Sequence, residues 1–271
     1  MAGSREYLLA SGGAELERLR LQARVWQPEA EAWLDRIGIQ PGWRCLDVGC
    51  GPLGILGSLA HRVGPRGTVV GLDQDAVQLA AARAHVAESG FANVEIVEAD
   101  AYASALPDNS FDFVHVRFVF APVGRDDALL AELLRLAKPG GIIGIEEPDT
   151  SSWSLYPPHP AWEALKAAIL AAFKRGGGDL DAGRRMFGLL RRAGLEDVTL
   201  RAAVVALQDG HPHMRLPIQF ATSLRARILD GGLMNDAALD AAVMECEQAI
   251  GARDSAALSY IVTQVSGRKP Q

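Results

Sequence analysis

The sequence has few cysteines, no long apolar run and no block of basic residues. Its three cysteines, Cys45, Cys50 and Cys246, are an odd number without paired spacing, which indicates a reducing compartment. No apolar stretch reaches the roughly 18 residues that a membrane-spanning helix needs. The N-terminus lacks the basic-then-apolar pattern of a secretory signal. We therefore expect a soluble, cytoplasmic protein that does not contact a membrane.

Positive charge is not concentrated in any one stretch of the chain. The formal net charge is −6, the pI is near 5.6, and no run of lysine and arginine occurs. This balance disfavours nucleic acid as a partner. With 271 residues, of which 49% are apolar, the chain is long enough to bury a sizeable core in one domain.

The most informative stretch is a glycine-rich turn after a buried strand. The apolar run at residues 45–48 predicts a parallel strand, and Gly49, Gly51 and Gly54 follow it. A helical pattern comes next, and a second strand over 69–72 ends at Asp73. Strand, glycine turn, helix, strand and acid form a βαβ unit that holds a nucleoside. Glycine has no Cβ, so backbone can approach the ligand, and the acid can accept hydrogen bonds from both ribose hydroxyls.

The acid before the turn separates two classes of cofactor. The glycine spacing formally matches the dinucleotide fingerprint, but Asp47 would repel a pyrophosphate lying against the turn. S-adenosylmethionine presents an ammonium, a sulfonium and one carboxylate, so a neighbouring acid suits it. The sequence also lacks the Tyr-x-x-x-Lys pair of short-chain dehydrogenases. A nicotinamide cofactor is therefore disfavoured.

The stretch LDVGCGPLG at residues 46–54 closely resembles motif I of class I S-adenosylmethionine-dependent methyltransferases of the small-molecule type. GLDQD at residues 71–75 resembles their next motif, and KPGG at 138–141 resembles a turn of these enzymes. The resemblance implies an α/β fold with a Rossmann-like, seven-stranded, mostly parallel sheet. Its last strand would be antiparallel, between the fifth and sixth. The implied cofactor is S-adenosylmethionine, with S-adenosylhomocysteine as product.

We divide the chain into three parts. Residues 1–40 resemble the N-terminal helical lid of small-molecule methyltransferases, and their pattern predicts two helices, 14–26 and 29–37, with Pro28 starting the second. Residues 41–150 form the cofactor-binding core. Residues 151–271 complete the same domain, with a sixth strand over 198–207, substrate-cap helices within about 208–257 and a final strand over 258–265.

Cofactor-binding residues are predicted from the motifs and from the carboxyl ends of the strands, where ligands bind in open parallel sheets. The resemblance places three lid residues near the methionine end of the cofactor and an acid after the third strand near the adenine. Arg117 can pair with the cofactor carboxylate or with Asp47. A plain amphipathic lid helix and a turn cap at Asp100 stay open as simpler interpretations. The predicted set is Tyr7, Arg18, Gln22, Asp47, Gly49, Cys50, Gly51, Asp73, Gln74, Asp100, Ala101, Arg117 and Phe118.

Catalytic residues are harder to assign, because the sulfonium already activates the methyl group. An enzyme of this kind has mainly to hold the acceptor in line and to exclude water. Glu147, in the acidic stretch 146–149, and His211 are the candidates for a base, with a solvated acidic loop as the alternative for Glu147. His211 and His213 would point opposite ways in an extended chain, so no metal site is predicted.

The sequence therefore predicts transfer of a methyl group to an O or N atom of a small organic acceptor in natural-product biosynthesis (secondary metabolism). Aromatic residues in the loop 151–160 favour an apolar or aromatic acceptor. One alternative is a methyltransferase-like protein that binds the cofactor but catalyses a cyclisation or pericyclic reaction. Another is a binding module without catalysis. The expected partner is the small-molecule acceptor, and a homodimer stays open.

Overall fold

Two sheets organise residues 12–208 and 210–271, which the computed structural model describes. The strands are β1 (Arg44–Val48), β2 (Thr68–Asp73), β3 (Val94–Glu98), β4 (Phe111–Arg117), β5 (Ala137–Asp149), β6 (Ser154–Tyr156), β7 (Glu196–Ala203), β8 (Ala206–Gln208), β9 (Ala256–Leu258) and β10 (Ile261–Arg268). The large sheet has the order β3-β2-β1-β4-β5-β10-β7. Only β10 runs antiparallel to its neighbours in that sheet, between β5 and β7. This confirms the predicted fold class.

Helices flank the large sheet. In the described residues they are α1 (Gly13–Ile37), α2 (Leu56–Val63), α3 (Ala76–Glu88), α4 (Phe120–Val123), α5 (Asp126–Leu136), α6 (Pro160–Arg175), α7 (Gly183–Arg192), α8 (Leu216–Ser223), α9 (Arg225–Asp230) and α10 (Asp236–Ile250). Asp75 caps α3, because its side chain accepts hydrogen bonds from Val77 N and Gln78 N. Among these helices, none is both long and apolar enough to cross a bilayer.

The prediction of two N-terminal helices is wrong, because residues 13–37 form the single helix α1 with Pro28 inside it. Proline in a helix interior removes one backbone hydrogen bond and costs about 3 kcal/mol. Trp26, Trp33 and Leu34 are each at least 97% buried on either side of it. Burying a large apolar side chain contributes about 1.5–3 kcal/mol, so these three together outweigh the proline.

The acidic stretch 146–149 lies within β5 instead of in a solvated loop. β5 includes residues 138–141, which resemble a turn in the sequence, and they fall near an irregularity in its pairing with β4. Beyond that point β10 covers the other edge, with Glu146 opposite Gln264 and Glu147 opposite Thr263. Glu146 and Glu147 are therefore almost completely buried.

The small sheet, in the order β6-β9-β8, was not predicted. The predicted sixth strand divides into β7 and β8, and the predicted final strand divides into β9 and β10. The predicted substrate-cap region, about 208–257, contains the three helices α8, α9 and α10. α8 and α10 pack against α6, which also contacts β6 of the small sheet, whereas α7 packs on the large sheet.

Candidate functional site

One cavity of about 470 Å³ opens at the carboxyl ends of β1, β2 and β4. Tyr7, a predicted site residue, lies outside the described residues. The structure brings the twelve other predicted cofactor-binding residues to the wall of this cavity: Arg18, Gln22, Asp47, Gly49, Cys50, Gly51, Asp73, Gln74, Asp100, Ala101, Arg117 and Phe118.

The glycine turn depends on glycine at the predicted positions. Gly49, Gly51 and Gly54 have φ values of +67°, +56° and +51°, which other residues adopt only at a cost. A Cβ on Gly54 would also collide with the carboxylate of Asp47. That carboxylate holds the turn, because its Oδ2 accepts a hydrogen bond from Ile55 N at 3.0 Å.

Asp73 ties the end of β2 to the same turn. Its Oδ2 accepts from Gly51 N at 3.0 Å, and its Oδ1 accepts from Gln74 N and Asp75 N at 2.8 and 3.0 Å. Burial raises the pKa of Asp73, and these three backbone donors oppose that shift. A carboxylate has about four acceptor positions, so roughly one remains for a ligand where two ribose hydroxyls were expected.

Asp100 is a turn cap and also lies at the cavity, so the structure agrees with both interpretations that the sequence left open. Its Oδ1 caps the turn after β3 by accepting from Tyr102 N at 2.9 Å. The residue is solvent-exposed and also lines the cavity. Its second oxygen is therefore available to a ligand amino group.

A buried ionic network lies behind the turn and centres on His115, which has no solvent exposure. Its Nδ1 lies 2.7 Å from Asp47 Oδ1, and its Nε2 lies 3.2 Å from Glu146 Oε2. Only an imidazolium donates from both nitrogens. Burial alone would lower the pKa of His115, but the two carboxylates raise it. Burial would raise the pKa of Glu146, but His115, Arg117 and Gln264 lower it.

This network was not predicted from the sequence. The sequence feature that could have indicated it is the position of Asp47 inside the predicted strand β1. β1 pairs with β4, and this pairing places Asp47 opposite His115. Glu146 follows on β5, the strand on the other side of β4. Three neighbouring strands thus supply acid, histidine and acid, with Glu146 two residues beyond the position that pairs with His115.

Arg117 completes the network and faces the cavity. Its Nη2 donates to Gly54 O at 3.3 Å, and its Nη1 lies 3.8 Å from Glu146 Oε2. Nη1 is buried and has no hydrogen-bond partner in the described structure. An unsatisfied donor of a charged group costs about 1–3 kcal/mol or more, so this atom favours a ligand that brings an anionic oxygen.

The lid residues are buried at the cavity and do not form a solvated face. Arg18 is 5% exposed and makes two hydrogen bonds to Glu15, at 2.8 and 2.7 Å. It also donates to Gln22 Oε1 at 2.5 Å, as the spacing of four residues predicts. Its guanidinium lies 5.2 Å from the centre of the Phe220 ring. Glu15 was missed by the sequence analysis.

The two predicted bases do not line the cavity. Glu147 is fully buried and accepts from Val119 N, Phe120 N and Ala121 N at 2.7–3.0 Å, so it caps the start of α4. His211 Nδ1 accepts from His213 N at 3.2 Å and caps a short 3₁₀ turn, Pro212–Arg215. Both side chains therefore have structural tasks, and this geometry gives no support to either as a base.

Aromatic side chains form a large part of the remaining cavity wall. We call five of them the aromatic wall: Phe118, Trp153, Phe173, Phe220 and Tyr260. Tyr102, in the turn after β3, also lines the cavity. Trp153 and Tyr260 meet edge-to-face, with ring centres 6.4 Å apart at 81°. Phe118 and Tyr260 meet in the same way at 6.0 Å and 89°. Trp153 belongs to the aromatic loop noted in the sequence, whereas Phe173 was not predicted to line the site. Phe220 and Tyr260 were not anticipated at all.

A family comparison identifies the group to which this fold and cavity belong. Residues 39–175, about half of the chain, match the profile of a family described as a methyltransferase domain. The chain belongs to the methyltransferase-domain family. Its class I members depend on S-adenosylmethionine, which confirms the cofactor class predicted from the glycine turn.

Curated relatives of this methyltransferase-domain chain match up to about half of it. It is 39% identical over 108 residues to demethylmenaquinone methyltransferase of Anoxybacillus flavithermus, covering 40% of this chain and 46% of the relative. It is 37% identical over 136 residues to nocamycin O-methyltransferase of Saccharothrix syringae, covering 49% of each. The chain thus spans about half the length of the curated relatives it matches. Among solved structures, the [4+2]-cyclase SpnF has a TM-score of 0.53 and 25% identity, covering 90% of this chain and 83% of that one.

Proposed function

We propose that this methyltransferase-domain chain binds S-adenosylmethionine at the glycine turn and transfers its methyl group to an O or N atom of a small organic acceptor. The observation that carries the proposal is the shared cavity, in which the glycine turn and the aromatic wall face the same space. The relative named nocamycin O-methyltransferase supports an acceptor from secondary metabolism.

The residues at the turn fit the cofactor. Asp73 retains an acceptor position for a ribose hydroxyl, and Asp100 offers an oxygen to the adenine amino group. The unpartnered Nη1 of Arg117 fits the carboxylate of the methionine end. The bound cofactor would supply a methyl group already activated by its sulfonium.

The contribution of the chain is positioning and exclusion of water. α1 brings Arg18 and Gln22 to the cavity, and α8 brings Phe220. Glu147 and His211 are engaged in other contacts. The reaction therefore depends on holding the acceptor close to the methyl group of the cofactor in a site that excludes water. No obligatory base is assigned.

A second candidate is a cyclisation or pericyclic reaction without methyl transfer. The structural likeness to the [4+2]-cyclase SpnF favours it, as does an apolar, aromatic cavity without an assigned base. The mass of the product separates the two functions, because methyl transfer adds one CH₂ unit to the acceptor and a cyclisation adds nothing.

The first test is calorimetric titration of the whole chain with S-adenosylmethionine, S-adenosylhomocysteine and NADH. Micromolar binding of the two sulfur nucleosides, with none of NADH, is the expected result. A screen of acceptors by mass then tests transfer. Binding of NADH alone would overturn the proposed function, together with every cofactor residue assigned above.

A further inference from the structure

We infer that the acceptor is a planar phenol or enol whose oxygen accepts a hydrogen bond from the hydroxyl of Tyr260. The inference rests on the proposed function, because it names the substrate class for the same cavity. Three observations carry it: a spare donor on the aromatic wall, the absence of a carboxylate there in the described structure, and two guanidinium groups lying over the rings.

The spare donor is the hydroxyl of Tyr260. The residue is 5% exposed and lines the cavity. Its oxygen accepts a hydrogen bond from Trp26 Nε1 at 3.2 Å, and within residues 12–208 and 210–271 its proton has no acceptor. His213 packs beside it with ring centres 6.5 Å apart, but the buried Nε2 of His213 makes no hydrogen bond. Burial raises the pKa of Tyr260 to about 12, so the hydroxyl keeps its proton at neutral pH.

The three carboxylates of the acidic stretch 146–149, which precedes Trp153, are all engaged in other contacts. Glu146 is held by His115 and Gln264, and Glu147 by three backbone N–H groups. Asp149 accepts two hydrogen bonds from Arg184, at 2.9 and 2.8 Å. None of these three lines the cavity. The aspartates that do line it belong to the glycine turn and the ends of β2 and β3: Asp47, Asp73, Asp75 and Asp100.

Cations already lie beside the rings. The guanidinium of Arg18 is 5.2 Å from the centre of the Phe220 ring, and that of Arg117 is 5.8 Å from the centre of the Phe118 ring. A protonated amine would need an aromatic face or a carboxylate, and the faces of Phe220 and Phe118 already hold a guanidinium. An acceptor oxygen meets the spare donor of Tyr260 instead. The aromatic wall therefore favours an oxygen acceptor over an amine.

The test measures binding to the protein saturated with S-adenosylhomocysteine, which separates acceptor binding from turnover. The two probes are 4-hydroxycoumarin, a planar enol, and 1-naphthylmethylamine, a cation of similar size at neutral pH. Calorimetry should show binding of the enol and at least tenfold weaker binding of the amine. Tyr260→Phe should weaken enol binding by about tenfold to a hundredfold, as expected for loss of a hydrogen bond to a charged oxygen.

Two control variants isolate the hydroxyl. Both Tyr260→Phe and Trp26→Phe remove the hydrogen bond between Trp26 and Tyr260. Trp26→Phe leaves the Tyr260 hydroxyl in place, so this variant should keep most of the enol affinity. Tyr156→Phe removes a hydroxyl from a tyrosine that is 50% exposed outside the cavity, and it should change nothing. Unchanged S-adenosylhomocysteine affinity in all three variants shows that each one is folded.

Three results would overturn the inference: equal or tighter binding of the amine, no binding of either probe, or full enol affinity in Tyr260→Phe. Each of these leaves the proposed function standing, provided that S-adenosylhomocysteine binds. Failure of S-adenosylhomocysteine to bind the unaltered chain would instead remove the proposed function, and this inference with it.

Discussion

Replacing His115 by glutamine should destabilise the fold strongly. The imidazolium lies between the carboxylates of Asp47 and Glu146, which are each 1% exposed. Two hydrogen bonds to charged groups contribute about 1.5–3 kcal/mol each, and removing one partner of a buried ion pair costs about 3–5 kcal/mol. Glutamine can donate from only one nitrogen, so one carboxylate loses its donor. We expect a loss of about 3–5 kcal/mol in the free energy of unfolding.

The dependence on pH distinguishes a lost ion pair from a merely disturbed core. The folded chain raises the pKa of His115, so the folded state holds a proton that the unfolded state releases above its ordinary pKa of about 6.5. The stabilisation from this pair is therefore complete below about pH 6.5 and is lost as the pH rises through the folded-state pKa. The variant should lack that decline.

Urea unfolding followed by tryptophan fluorescence, at a series of pH values from 6 to 9, measures both effects. His61→Gln is the matched control, because His61 is exposed on α2 and lies outside the network. It should change the free energy of unfolding by less than about 0.5 kcal/mol. If His115→Gln were as stable as the unaltered chain, or if both had the same pH dependence, the assignment of an imidazolium between two carboxylates would be refuted.

Three further predictions concern the cofactor and are measured by calorimetric titration with S-adenosylmethionine. Arg117→Met should weaken binding by about tenfold to a hundredfold through loss of a charge-assisted hydrogen bond, and unchanged affinity would contradict the role given to its Nη1. Asp73→Asn should weaken binding by a similar factor, since the amide removes the negative charge at the tip of β2. Gly54→Ala should abolish binding because its Cβ would collide with the Asp47 carboxylate. Gly64→Ala, with φ of +64°, ψ of −173° and open space, should destabilise the fold by about 1–3 kcal/mol yet bind normally.

The cofactor half of the site was predictable because its residues are local in sequence. One βαβ unit fixes the turn and the acid at its tip, and parallel pairing brings the ends of neighbouring strands together. Arg18 and Gln22 followed from helical spacing combined with a family resemblance. Their roles in binding stay predictions, while their common location is observed.

The acceptor half was not predictable in the same way. Its rings come from the residue after β4, the loop before β6, α6, α8 and the residue before β10, separated by up to about 140 residues of chain. No periodicity or motif joins Phe220 to Tyr260. Their proximity results from the small sheet and from the packing of α8 on α6. The burial of the acidic stretch 146–149 was not predicted for a related reason. Only the pairing of β5 with β10 shows that these residues lie in the interior.

Asp47 indicated the correct cofactor class, but the physical reason is different from the one predicted. Repulsion of a pyrophosphate by the charge of Asp47 was expected, whereas in the structure the imidazolium of His115 neutralises that charge. What the acids do instead is occupy the donors that a pyrophosphate would need at a helix N-terminus. Asp47 accepts from Ile55 N, the residue that precedes α2, and Asp73 accepts from Gly51 N. Cys50 N donates to Leu72 O at 2.9 Å. With these three N–H groups engaged, the turn offers a close backbone surface to a nucleoside and few donors to a phosphate.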